Sequence, residues 1–186
     1  DLLLKKPRNA RTDHLVDLRC IFHIVFQYGL LTGLASFAMW FNYLDEHTFG
    51  ISDLVLAYNK WKAGYHNYDD HELTRFVATG AACFYICMVI CNFGNLLSVR
   101  LRRESIFTQN PFYGPSMNIS IFIGFLFSIA LCVFTVFCPG FSTVVGTYSP
   151  PFRFWLIPIT FAIGLLLIDE IRKLLVRTFP NGPVAW

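Results

Sequence analysis

Four long apolar runs alternate with polar connections along this chain, at about residues 20–44, 76–99, 119–137 and 152–168. Each is close to the ~20 apolar residues that a hydrocarbon core about 30 Å thick requires. In lipid the backbone must satisfy its own hydrogen bonds, so runs of this length predict helices. The predicted fold is all-α, a polytopic membrane protein of four transmembrane helices. It divides into a cytosolic loop at 1–19, the four-helix domain at 20–177 and a cytosolic C-terminal tail at 178–186.

Polar positions inside the runs carry the remaining information. His23 and Gln27 in the first run are four apart, so they share a helix face and read as packing groups that bond to neighbouring helices. Asn92 and Asn95 in the second run are three apart and also share a face. Cys83, Cys87 and Cys91 form a stripe of small side chains that lets helices approach closely. The third run is broken only by Ser120, Gly124, Ser128 and Thr135, and Pro158 near the start of the fourth predicts a kink. The fourth run ends in IDEIRKLLVR, where Asp169 stands at ion-pairing distance in sequence from Arg172 and Lys173.

Composition supports a membrane setting. Of 186 residues 55% are hydrophobic and 15% charged, against about 25% charged in soluble domains. The distribution of Lys and Arg then orients the chain. Eleven lie before the first run, after the second and after the fourth; four lie in the other connections. Positive loops stay inside, so both termini are expected in the cytosol. The basic residues sit at helix ends without forming a face, which excludes nucleic acid as a partner. Asp45 to Arg75, the longest polar connection, reads as a partly structured outer loop whose Asp69-Asp70 pair is solvated charge.

Catalytic patterns are missing. The sequence has no glycine-rich phosphate loop, no paired metal motif among its five histidines, and no Cys-x-x-Cys pair. No catalytic residue, metal site or bound cofactor is expected within these residues.

Four separated motifs carry a family resemblance: PRNARTDHLVDLR before the first run, RRESIFTQN after the second, FCPG after the third and IDEIRKLLVR after the fourth. In this order the chain resembles the C-terminal part of the membrane domain of sodium/potassium- and hydrogen/potassium-type P-type ATPases, the stretch with transmembrane helices seven to ten. Starting in mid-phrase at Asp1 fits a section of a longer chain. The resemblance implies a support domain that braces the other helices of a plasma-membrane cation pump, with ATP and Mg handled by other domains. It places the family's eighth-helix glutamine on Asn92, its eighth-helix aspartate on Asn95 and its ninth-helix glutamate on or near Ser128, which makes these three the candidate cation-pathway residues. All three are neutral here. It also implies a β-subunit docked on the outer loop, where Tyr65 echoes the family's pattern. The alternative is a free-standing four-span scaffold, or pump-partner protein, without transport activity.

Overall fold

The computed structural model describes residues 18–55, 61, 65–100, 105–106, 113 and 117–179. The polar N-terminal segment with its Thr12 and Asp13 cap positions, the Cys20 side chain and Lys62 to Gly64 lie outside the described residues. So do most of the basic loop after Arg100, with its Asn110-Pro111 and Gly114-Pro115 turns, and the tail from Pro180.

The first apolar run forms α1 (Leu18–His23), a π-helical stretch (Ile24–Leu30) and α2 (Leu31–Asp45) in unbroken succession. The outer connection holds a short α3 (Ile51–Leu54) and a 3-10 turn (Tyr65–Asn67). Then come α4 (Asp70–Val99), α5 (Ile119–Phe137), a short α6 (Phe141–Val145) and α7 (Arg153–Thr178), with no strand among the described residues. Four helical segments are long and apolar enough to cross a membrane: Ile21–Asp45, Asp70–Val99, Ile119–Phe137 and Arg153–Thr178.

Local chemistry sets several of these ends. Asp69 is extended, its N–H bonds Glu72 Oε2 at 3.2 Å, and acidic residues fill the first turn of α4. Carboxylates there complement the helix dipole. Asn118 Oδ1 accepts the Ser120 N–H at 3.1 Å and caps α5. Gly140, at φ 94°, turns the chain out of α5 after Pro139. Buried Pro158 lies inside α7, which continues past the apolar run and carries Asp169 to Arg177 as helix.

Helix α4 is central and packs along both α2 and α7. Small residues set how closely. A Cβ on Gly80 would stand 2.6 Å from Trp40 Cδ1, and one on Gly94 would stand 3.2 Å from the Ala162 carbonyl oxygen. Cys83, Cys87 and Cys91 are fully buried beside Met39, Tyr43, Leu44 and Phe154. Helix α5 joins through a second cluster, where Cys132 and Val136 meet Ala82, Ile86 and Ile90. Phe125 stacks on Phe93 of α4 at 3.8 Å, whereas Ile123, Leu126 and Phe127 are exposed.

The outer connection is folded around one side chain. Phe49 is 1% exposed and stacks on Trp61 at 4.8 Å, with Tyr68 and Phe76 also against it.

Candidate functional site

The polar positions within the helices separate into two groups. The first lies where α7 passes the π-helical stretch. Asp169 is fully buried and its carboxylate receives hydrogen bonds from three sides. Arg172 Nε donates to Oδ1 at 3.0 Å, and Lys173 Nζ lies 2.7 Å from Oδ2. From across the helix pair, Gln27 Nε2 reaches Oδ1 at 3.0 Å and the Tyr28 hydroxyl reaches it at 3.1 Å. Ser98 of α4 stands beside both Tyr28 and Asp169. Buried ions persist only when paired and hydrogen-bonded, and here each charge has an opposite neighbour.

A neighbouring pair extends the group. Glu170 accepts from Ser105 Oγ at 2.5 Å and from the Ile106 N–H at 3.1 Å, with Lys173 Nζ 3.4 Å away. The connection after α4 is thereby tied to the end of α7.

The ion pairs expected from the 169–173 spacing are thus present, but in the core of the helix contact. The π-helical stretch helps explain this. Its wider turn changes the angular spacing of positions 24–30, and both Gln27 and Tyr28 reach Asp169. His23 lies edge-on to the Tyr28 ring at 5.1 Å, beside this group.

The second group surrounds the two asparagines. Asn95 Nδ2 donates to Thr32 Oγ1 at 2.8 Å, and Ser36 Oγ donates to the Thr32 carbonyl at 2.9 Å. Asn95 Oδ1 is buried and has no hydrogen-bond partner among the described residues. Asn92 is exposed on α4, and Ser128 is exposed on α5 with its hydroxyl donating to Gly124 O of its own helix at 3.0 Å. Asn95 is therefore tied across to α2, whereas Asn92 and Ser128 look away from the bundle.

Tyr65 belongs to neither group. Its hydroxyl bonds Asp53 and holds that carboxyl below the usual carboxylate range; burial raises the Tyr65 phenol in turn. His66 Nε2, 3.5 Å from Asp53 Oδ2, adds to the same cluster. Among the described residues no three His, Cys, Asp or Glu side chains are placed to hold a metal ion.

Sequence reasoning missed Tyr28, Thr32 and Ser98. A serine, a threonine and a tyrosine in an apolar run are ordinary, and only the packing of α2, α4 and α7 shows that they meet carboxylate or amide partners.

The family described as "Cation transporting ATPase, C-terminus" matches residues 1–175. The human sodium/potassium-transporting ATPase subunit alpha-4 is 31% identical over 98% of this chain. The rat alpha-2 subunit is 28% identical over the same share, and the alpha-1 subunit of Catostomus commersonii 30%. The chain spans 18% of the length of these relatives.

Proposed function

The chain belongs to the family of cation-transporting ATPase C-termini, and from that premise we propose that it is the supporting membrane section of a sodium/potassium-type P-type cation pump. It is an integral membrane section of four helices; on the proposed topology both termini face the cytosol and the membrane is the plasma membrane. Nucleotide binding and phosphoryl chemistry fall to other parts of the pump, which would supply ATP and Mg sites.

Within that section Asn95 is the proposed cation-pathway group. The single observation that supports this is its geometry. Thr32 holds the amide nitrogen, and the buried Oδ1 is left without a donor. An unpaired buried acceptor costs about 1–3 kcal/mol unless another group meets it. An amide oxygen is a hard, neutral ligand suited to alkali cations. Exposed Asn92 presents an amide on a membrane helix, where contact with lipid is unfavourable, and exposed Ser128 bonds its own helix at Gly124. They fit a surface covered by the other helices of the pump.

Neutrality has a consequence. An amide supplies an oxygen but no charge to offset a buried cation. The position therefore binds weakly, or passes a cation without trapping it.

The test is cation-activated ATP hydrolysis by the full-length protein. Asn95→Ala should raise the cation concentration for half-activation about five- to tenfold, the loss of one such contact. Asn95→Asp should lower it. If both substitutions leave half-activation unchanged and lower only thermal stability, Asn95 is a packing amide and the cation assignment fails. A β-subunit on the outer connection belongs to the same reading, with Tyr65 and the Phe49 cluster as the ordered part of that surface.

A further inference from the structure

The outer connection brings together two metal-ligating side chains that neither polar group of the membrane helices uses. Asp53 stands on α3 and His66 in the 3-10 turn, and His66 Nε2 lies 3.5 Å from Asp53 Oδ2. Both are partly open to water, with side-chain exposures of 24% for Asp53 and 38% for His66. Three observations indicate what belongs between them.

The first is distance. An N–H···O hydrogen bond closes to about 2.7–3.2 Å, and the pair stands wider than that at 3.5 Å. Two ligands on one zinc ion, with bonds of about 2.0–2.2 Å at tetrahedral angles, stand about 3.4 Å apart. The separation is that of two corners of a metal tetrahedron.

The second is order. Asp53 Oδ2 accepts the Gly50 N–H at 3.3 Å, and the Asp53 carbonyl accepts Trp61 Nε1–H at 3.0 Å. The His66 ring stands edge-on to Phe49 at 5.6 Å and to Tyr65 at 4.5 Å. Its backbone is left-handed, at φ 51°, and Asn67 follows at φ 65°. Such backbone persists where its surroundings over-determine it, and it clusters at ligand clamps. The fold has ordered both side chains already, so an ion does not have to.

The third is the chemistry of the two groups. The bond from the Tyr65 hydroxyl, first among several causes, holds the Asp53 carboxyl below the usual carboxylate range and so keeps it ionised at neutral pH. A carboxylate oxygen beside an imidazole nitrogen is a ligand pair for zinc, whereas magnesium and calcium favour oxygen alone.

We propose that Asp53 and His66 bind one zinc ion through Oδ2 and Nε2, with water in the two remaining positions. The ion clips α3 to the 3-10 turn and closes the outer connection around Phe49. On the proposed topology it comes from the extracellular side. With half the protein ligands of a structural zinc site, the affinity is on the order of 10 µM. The site goes beyond the transport reading and stands or falls without it, because it is read by footprinting and not by activity.

The experiment treats the full-length protein, with whatever subunits purify with it, with diethyl pyrocarbonate across a range of zinc chloride concentrations. This reagent acylates proton-free imidazole nitrogen, and mass spectrometry reads the label at each histidine. Zinc should suppress label at His66, half of it at a concentration on the order of 10 µM, and leave exposed His71 unchanged. Magnesium chloride at the same concentrations should leave both unchanged. Asp53→Asn, which keeps the shape of the side chain, should raise the half-protecting zinc concentration about tenfold or more. Protease nicking of residues 45–69 is the second readout. Zinc should slow it in the wild type but not in His66→Asn, a residue suited to left-handed backbone. Label at His66 indifferent to zinc would overturn the proposal and leave an ion pair only. Equal protection in the wild type and Asp53→Asn would also overturn it, since a single imidazole would then suffice. So would zinc protection against nicking that survives His66→Asn.

Discussion

Helices α4 and α5 are both long apolar membrane segments, yet they occupy opposite roles. Half of the most apolar window of α4 is buried within the chain, against 11% of that of α5. The more apolar helix is the less buried one. Hydrophobicity is what qualifies a helix for lipid, and it does not attract one helix to another once both are there. Both helices carry small residues, but those of α4 face other helices. Gly80 and Gly94 admit Trp40 and the Ala162 carbonyl, whereas a Cβ on Gly124 of α5 would meet nothing within 4 Å. The α2–α4–α7 trio also carries the polar bonds between helices, from Asn95 to Thr32 and from Gln27 and Tyr28 to Asp169.

The largest effect that would test this contrast comes from Asp169. Asp169→Ala removes the carboxylate that Arg172 and Lys173 share, leaving Lys173 only the longer pair to Glu170 at 3.4 Å, and should cost about 3–5 kcal/mol, read as loss of folded protein in detergent thermal-stability assays. Replacing Asp169 and Lys173 together by Leu and Met removes one charge of each sign and should recover part of it, with Arg172 keeping its charge. A stable single variant would mean that water reaches this group and that it is no core.

Next comes truncation of large side chains on either helix. Ile86→Ala, in the buried contact of α4, should cost about 2–5 kcal/mol. Leu126→Ala on α5 should change the stability of the isolated section by less than about 0.5 kcal/mol. Equal losses at the two positions would break the comparison.

Glycine substitution sharpens it. Gly94→Ala pushes on a backbone carbonyl and should destabilise by about 1–3 kcal/mol, as overpacking does. Gly124→Ala should be neutral or stabilising by up to about 1 kcal/mol, because it adds helix propensity in open space. Parallel melting curves of the two variants read the difference directly.

The smallest effect concerns the loop that closes the trio at its other end. The Asp53 carboxyl is depressed, first by its bond from Tyr65. A depressed folded-state value means that its contribution is present above the ordinary carboxylate range and is lost as pH falls through the lowered value. Tyr65→Phe should move that loss to higher pH, seen as protease nicking of residues 45–69 beginning at milder acidity. An unchanged nicking profile would show that the Tyr65 bond is not what orders the loop.

Much of this architecture is legible in the order of residues. Apolar runs of membrane length foretell the four helices, and the small residues at 83, 87 and 91 foretell close approach. The spacing of Asp169 to Arg172 and Lys173 foretells their ion pairs. Their burial is not foretold, because it depends on a π-helical stretch in another helix, and no residue between Ile24 and Leu30 announces a wider turn. The asparagine pair shows the same limit. Periodicity puts Asn92 and Asn95 on one face, yet positions three apart are still rotated about 60° from each other on a 3.6-residue helix. That is enough for Asn95 to reach Thr32 while Asn92 remains exposed. The extent of α7 is legible as well, since the helical spacing of Asp169 to Arg172 and Lys173 continues the helix past the apolar run.

The central claim is that these residues are one section of a cation pump. It is tested most directly by the mass of the native protein in source membranes, by immunoblot with an antibody against the last fifteen residues. The account predicts one band several times heavier than the 21.4 kDa of this chain. A band at 21.4 kDa alone would contradict it and leave a four-helix scaffold that carries no transport.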